Sequence, residues 1–196
     1  MLPIADAPRG RSFIAISLAE PARTAVVAYL ERLRATVGGV AWTRPEHLHL
    51  TLKFLGDVDV GCIPALGERL RTVAATTAPF MLRVAGVGAF PSLARPRVLW
   101  VGVMAPGLLA LSDGIEHVCR AEGFAPEPRA LRPHVTLGRV RAGGRSSQAD
   151  LGFLASDGDR ELGSSPVAEI VLFRSELRSG GARHTALVTL PLGTAT

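Results

Sequence analysis

The chain has 196 residues, 47% hydrophobic and 20% charged, a globular balance that excludes general disorder. Its longest charge-free apolar run, Val98–Leu111, is broken by Gly102, Pro106 and Gly107. It falls short of the roughly 20 residues a membrane-spanning helix needs. Net charge is +5 and Lys53 is the only lysine, so the basic surface is arginine and favours a polyanionic partner without identifying one.

The opening MLPIADAPRGR lacks a basic start followed by an apolar run, so no secretion signal is expected. Cys62 and Cys119 form neither a CxxC nor a disulfide framework and are expected to be buried thiols. A soluble, cytoplasmic monomer is the expectation.

In chain order, Ser12–Leu18 reads as an apolar strand. Pro21 to about Val37 reads as a helix, with Val26, Leu30, Leu33 and Val37 at helical spacing. His47–Leu55 alternates like a strand, Ile63–Ala75 reads as a helix and Phe80–Val87 as a strand. A shift of about 85 residues then superposes the second half of the chain on the first. Phe13–Leu18 lands on Val98–Val103, Pro21 on Pro106, His49 on His134, Thr51 on Thr136, and Phe80–Val87 on Ser165–Leu172. Loops at 86–97 and 142–147 join elements, and a final strand, Thr185–Leu190, follows a turn at Gly180-Gly181. The expected fold is α+β: one domain of two pseudo-symmetric lobes, 11–90 and 97–175, each with an antiparallel sheet, closed by a strand at 184–191 and separated by a central cleft.

Residues i and i+2 of a strand share a face. In HLHLTLKF, His47, His49, Thr51 and Lys53 therefore share one side, and Leu48, Leu50, Leu52 and Phe54 the other. In RPHVTLGR, His134 and Thr136 share a face, and parity puts Arg139 behind it. If the lobes pack by two-fold symmetry, two imidazoles and two hydroxyls meet across the cleft. That suits phosphoryl transfer on a ribose. A neutral imidazole takes a proton from attacking water, a charged one protonates the departing sugar oxygen, and the hydroxyls hold phosphate oxygens. Symmetry leaves open which histidine does which. His47 and His49 make a His-x-His pair of the kind that ligates zinc. However, Thr51 stands where a carboxylate would complete the set, so no metal or other cofactor is expected.

The segments RPEHLHLTLKFLGDV, FPSLARPRVLWVGV, LRPHVTLGRVR and LFRSEL…GARHTAL together resemble the RNA 2′,3′-cyclic phosphodiesterases, also called 2′-5′ RNA ligases, of the two-histidine phosphoesterase superfamily. The resemblance runs from about Arg11 to Leu192. It implies a bilobal fold and hydrolysis of a 2′,3′-cyclic phosphate to a 2′-phosphate. It implies His49 as proton donor to the 3′-oxygen, His134 as proton acceptor from water, and Thr51 and Thr136 as phosphate-binding residues. The implied partner is RNA with a 2′,3′-cyclic phosphate end, or a cyclic nucleotide. Arg132 and Arg139 are candidate phosphate contacts, and Trp42 and Phe90, in loop-like sequence, are candidate stacking partners for a base. His117 and His184 read as structural or surface residues. A non-catalytic RNA-end-binding module and RNA ligation are the alternative functions.

Overall fold

A computed structural model describes residues 9–141, 153–178 and 181–193. The connection expected at 142–147 and Gly180 of the expected turn lie outside the described residues.

The elements in chain order are β1 (Arg9–Ser17), α1 (Ala22–Thr36), β2 (Val40–Trp42), β3 (His49–Asp59), α2 (Ile63–Ala75), β4 (Phe80–Phe90), β5 (Val98–Met104), α3 (Leu108–Ala121), β6 (His134–Val140), the single turn α4 (Phe153–Ser156), β7 (Glu161–Val167), β8 (Glu169–Arg178) and β9 (Gly181–Pro191). The helices form where apolar side chains recur every three or four residues. Thus α1 buries Val26, Tyr29, Leu30 and Leu33, and α3 buries Leu108, Leu111, Ile115 and Cys119. Both begin just after their prolines, at Ala22 and Leu108, because the preceding residue (Pro21, Gly107) serves as the cap. No described helix is long and apolar enough to cross a membrane.

The described strands form one antiparallel sheet in the order β7-β4-β5-β6-β3-β1-β8-β9, with β2 added to β6. β3 and β6 meet in the middle through a single pair of partners, Leu50 and Val135. Among the described residues no other pair joins these two strands. The two halves of the sheet are not the two sequence repeats. β4 closes the first repeat, yet it pairs with β5 and β7; its counterpart β8 pairs with β1. The helices cross over as well: α1 packs on β7, and α3 packs on α2 and β3. Each repeat therefore lends a strand and a helix to the opposite half, so the halves of the sheet differ from the lobes expected at 11–90 and 97–175, which follow the repeats. The expected strand at 165–172 is also two strands, broken at Ala168 where the chain changes halves.

The core lies between the sheet and its helices, where Ile14, Leu50, Leu99, Val101, Val135 and Leu137 are fully buried. Burying each such side chain contributes about 1.5–3 kcal/mol. Cys119 is buried as expected, but Cys62 is exposed, because it stands ahead of α2 rather than on its packed face.

Candidate active site

Local geometry departs from simple alternation at one equivalent point in each histidine strand. In β3, Thr51 faces Ala15 and Lys53 faces Ile14, so Leu52 is an extra residue. In β6, Thr136 faces Trp100 and Gly138 faces Leu99, so Leu137 is extra. Each is a β-bulge, and a bulge reverses which face the following residues take. Consequently Lys53, expected on the polar face, is buried, and Phe54, expected in the core, is 60% exposed. Arg139, expected behind His134, lines the cleft.

His49, Thr51, His134, Thr136, Arg132, Arg139, Trp42 and Phe90 all line one open cleft. Their meeting follows from the Leu50–Val135 bridge. These are the middle residues of the two His-x-Thr triplets, and their side chains are fully buried on the core side. The flanking histidines and threonines must then point the other way. Antiparallel pairing sets His49 across from Thr136 and Thr51 across from His134.

The imidazoles are held by matching contacts. His49 Nδ1 lies 2.7 Å from the carbonyl oxygen of His47, and His134 Nδ1 lies 2.7 Å from that of Arg132. A carbonyl only accepts, so both contacts assign a proton to Nδ1. Nε2 of each ring is left for the cleft. Phe13 stacks on His49 at 4.8 Å between ring centres, and Phe90 meets His134 edge-on at 5.0 Å. Burial holds His49 below the ordinary histidine pKa; the contact with the His47 carbonyl opposes this, while charge on His47 and on His134 adds to it.

Several residues lie in other places than their sequence suggests. His47 ends a short 3₁₀ turn, Pro45–His47, before β3 begins, because Pro45 starts a turn rather than a strand. Its carbonyl orients His49, and its ring stacks on His184 at 4.3 Å. Trp42 belongs to β2, and Phe90 is the last residue of β4, so neither is in a loop. Trp42 is possible there because Gly138, opposite it in β6, has no side chain; a Cβ would lie 2.6 Å from Val40 and 3.0 Å from Trp42. His184 of β9 lines the cleft, edge-on to His49 at 5.3 Å. Burial pushes its pKa down to about 4, with charge on His47 and His49 adding to the effect. Sequence reasoning missed His184, since it has no partner in the repeat and only β8–β9 pairing carries it there. Among the described residues, no group of three or more His, Cys, Asp or Glu side chains is arranged to hold a metal ion.

Two tied imidazoles and two threonines thus line one cleft, repeated about a single strand pair. A family model described as LigT like Phosphoesterase matches the chain twice, at residues 16–100 and 101–183. The chain therefore belongs to the LigT-like phosphoesterase family. The RNA 2′,3′-cyclic phosphodiesterase of Aeropyrum pernix is 37% identical over 168 residues, covering 83% of this chain and 94% of that protein. The protein of the same name from Methanothermobacter thermautotrophicus is 34% identical over 176 residues, covering 89% and 95%. Among solved structures, TT0787 of Thermus thermophilus superposes with a TM-score of 0.77 at 30% identity, covering 95% of this chain and 100% of that one. Escherichia coli LigT complexed with 3′-AMP superposes at 0.74 with 25% identity, covering 94% and 99%.

Proposed function

We propose that this phosphoesterase hydrolyses the 2′,3′-cyclic phosphate at an RNA 3′ end, or on a cyclic nucleotide, to a 2′-phosphate. The observation that carries the proposal is the Leu50–Val135 bridge, which turns two His-x-Thr triplets toward one point with both Nδ1 atoms tied back. The names of the relatives supply the substrate class.

In this mechanism His134 Nε2 takes a proton from water as its oxygen attacks phosphorus. His49 Nε2 delivers a proton to the 3′-oxygen as the P–O3′ bond breaks. Assignment of donor and acceptor rests on the family, since the two sites are symmetric. The Thr51 and Thr136 hydroxyls and the Arg139 guanidinium hold the non-bridging oxygens, where charge gathers in the transition state. Arg132 supplies a further phosphate contact at the cleft edge. Phe90 and Trp42 offer flat faces to a base. Burial disfavours the charged form of His49, but an anionic phosphate beside its ring favours that form, which the donor needs. On this reading the enzyme is a metal-free cytoplasmic monomer.

The test is turnover of a nucleoside 2′,3′-cyclic phosphate followed by phosphorus NMR. A 2′-phosphate product is expected. A dominant 3′-phosphate would overturn the leaving-group assignment, and absence of turnover would overturn the reaction.

A further inference from the structure

We propose that Lys53 is a positioning residue that staples one wall of the cleft, residues 124–133, to the strand carrying His49, and thereby sets how firmly RNA beyond the reacting phosphate is held. The proposal rests on the phosphoesterase reading above.

Lys53 is the only lysine in the chain and is 2% exposed. A buried ammonium is costly unless it is paired and hydrogen-bonded. Here the bulge at Leu52 turns it under α3, where Nζ lies 2.8 Å from Glu116 Oε2 and donates to the Ala125 carbonyl at 2.6 Å. The other oxygen of Glu116 accepts from the Glu127 amide at 3.2 Å. Glu127 Oε1 in turn accepts from the Phe54 amide at 3.2 Å. These contacts form a closed circuit from β3 to α3, to the segment after α3, and back to β3.

That segment contains no helix or strand, so it lacks a backbone ladder to hold its shape. Its ends are tied by Phe124 N–H to the Cys119 carbonyl and by Val103 N–H to the Pro133 carbonyl. The Lys53–Glu116 circuit anchors the stretch that follows the first tie. Pro126, Glu127, Arg129, Leu131 and Arg132 of the segment line the cleft, and the Arg132 carbonyl orients His134. Arg129 and Arg132 are exposed on this wall, placed to meet backbone phosphates of a bound strand. A mononucleotide engages the two histidine strands and the Arg132 end of the wall, which the tie from Val103 to Pro133 holds apart from the circuit, whereas an oligonucleotide also needs the stretch through Arg129 that the circuit anchors.

The experiment compares wild type with Lys53→Met and with Lys53→Met/Glu116→Leu, the second replacing the pair by apolar groups that fill the same site without leaving a lone charge. Each is assayed on a nucleoside 2′,3′-cyclic phosphate and on an oligoribonucleotide ending in 2′,3′-cyclic phosphate. Amide exchange over 122–133 is followed in parallel. The expected result is faster exchange in that segment alone. KM for the oligonucleotide should rise about tenfold or more, the scale of losing a charge-assisted anchor, with kcat on the mononucleotide within about twofold. Equal losses on both substrates would mark Lys53 as a general structural residue and overturn the proposal. So would unchanged exchange over 122–133, or faster exchange with an unchanged KM. If wild type turns over neither substrate, the phosphoesterase reading fails. The staple is then judged by exchange and by equilibrium binding of a 2′-phosphate-ended oligonucleotide, where equal affinity in all three proteins overturns it.

Discussion

Leu52 of β3 and Leu137 of β6 are the same bulge, placed one residue after the threonine of each His-x-Thr triplet. Both are buried, and both are followed by a second buried residue, Lys53 or Gly138, and then an exposed one, Phe54 or Arg139. The repeat thus preserves a backbone device while the side chains it serves diverge. One strand turns an aromatic ring to the cleft face and the other a guanidinium.

Arg139→Ala tests the consequence for the second strand. If the bulge presents Arg139 to the phosphate, kcat/KM should fall roughly 10–100-fold, the value of a charge-assisted hydrogen bond. Thermal stability should hold, since the side chain is exposed. Steady-state kinetics decide it, and an unaltered kcat/KM would mean that the guanidinium does not reach the substrate.

His49→Ala and His134→Ala should each lower kcat by roughly 10²–10⁴-fold, the scale of general acid–base catalysis. Both chains should still fold, because Leu50 and Val135, not the histidines, join the halves of the sheet. Circular dichroism and kinetics on purified variants give the answer. Wild-type-like turnover in His134→Ala would sink the mechanism.

The pH dependence follows from the direction of the His49 shift. In the free protein burial holds His49 below the ordinary histidine range, which disfavours its charged form. Bound phosphate favours the charged form. The profile of kcat/KM, which reports the free enzyme, should therefore be a bell whose alkaline limb lies at lower pH than the alkaline limb of kcat. Both limbs are macroscopic values of a coupled pair. Coincident alkaline limbs would show that bound phosphate does not recharge the histidine pair.

His184 makes a stability prediction of definite sign. Its folded pKa, about 4, lies below its ordinary value of 6.5, so the unfolded chain takes up the proton first as pH falls. This contribution to stability is fully present above about pH 6.5 and is lost progressively down to about pH 4. His184→Phe keeps a ring against Phe13 and His47 but cannot titrate. Its loss of melting temperature between pH 7 and pH 4 should be smaller than that of wild type. Equal losses would show that the His184 ring is solvated in the folded state.

Extensive chelation should leave the rate unchanged, because the proposed chemistry uses two imidazoles and no Lewis acid. A rate lost on chelation and restored by one equivalent of a divalent metal would instead bring His47 and His49 together as ligands.

The sequence by itself determined the local elements and the chemistry they carry. The sequence pattern marked α1 and α2 closely, and the HLTL and HVTL motifs at an offset of about 85 marked both histidines and both threonines. Those signals are local, set by the pitch of a helix, the alternation of a strand and the spacing of residues within one segment. Tertiary structure alone decided which copy pairs with which. β4 joins β5 and β8 joins β1 because equivalent strands of a repeat present similar edges, and only global packing chooses between them. It also decided the side taken by Lys53, Phe54 and Arg139. One unpaired residue in a ladder inverts the positions that directly follow it, and whether a residue is unpaired depends on its partner strand, far away in the chain. His184 reached the cleft for the same reason: its place is set by hydrogen bonds to β8 and by rings from β1 and β3, contacts that exist only once the sheet has closed.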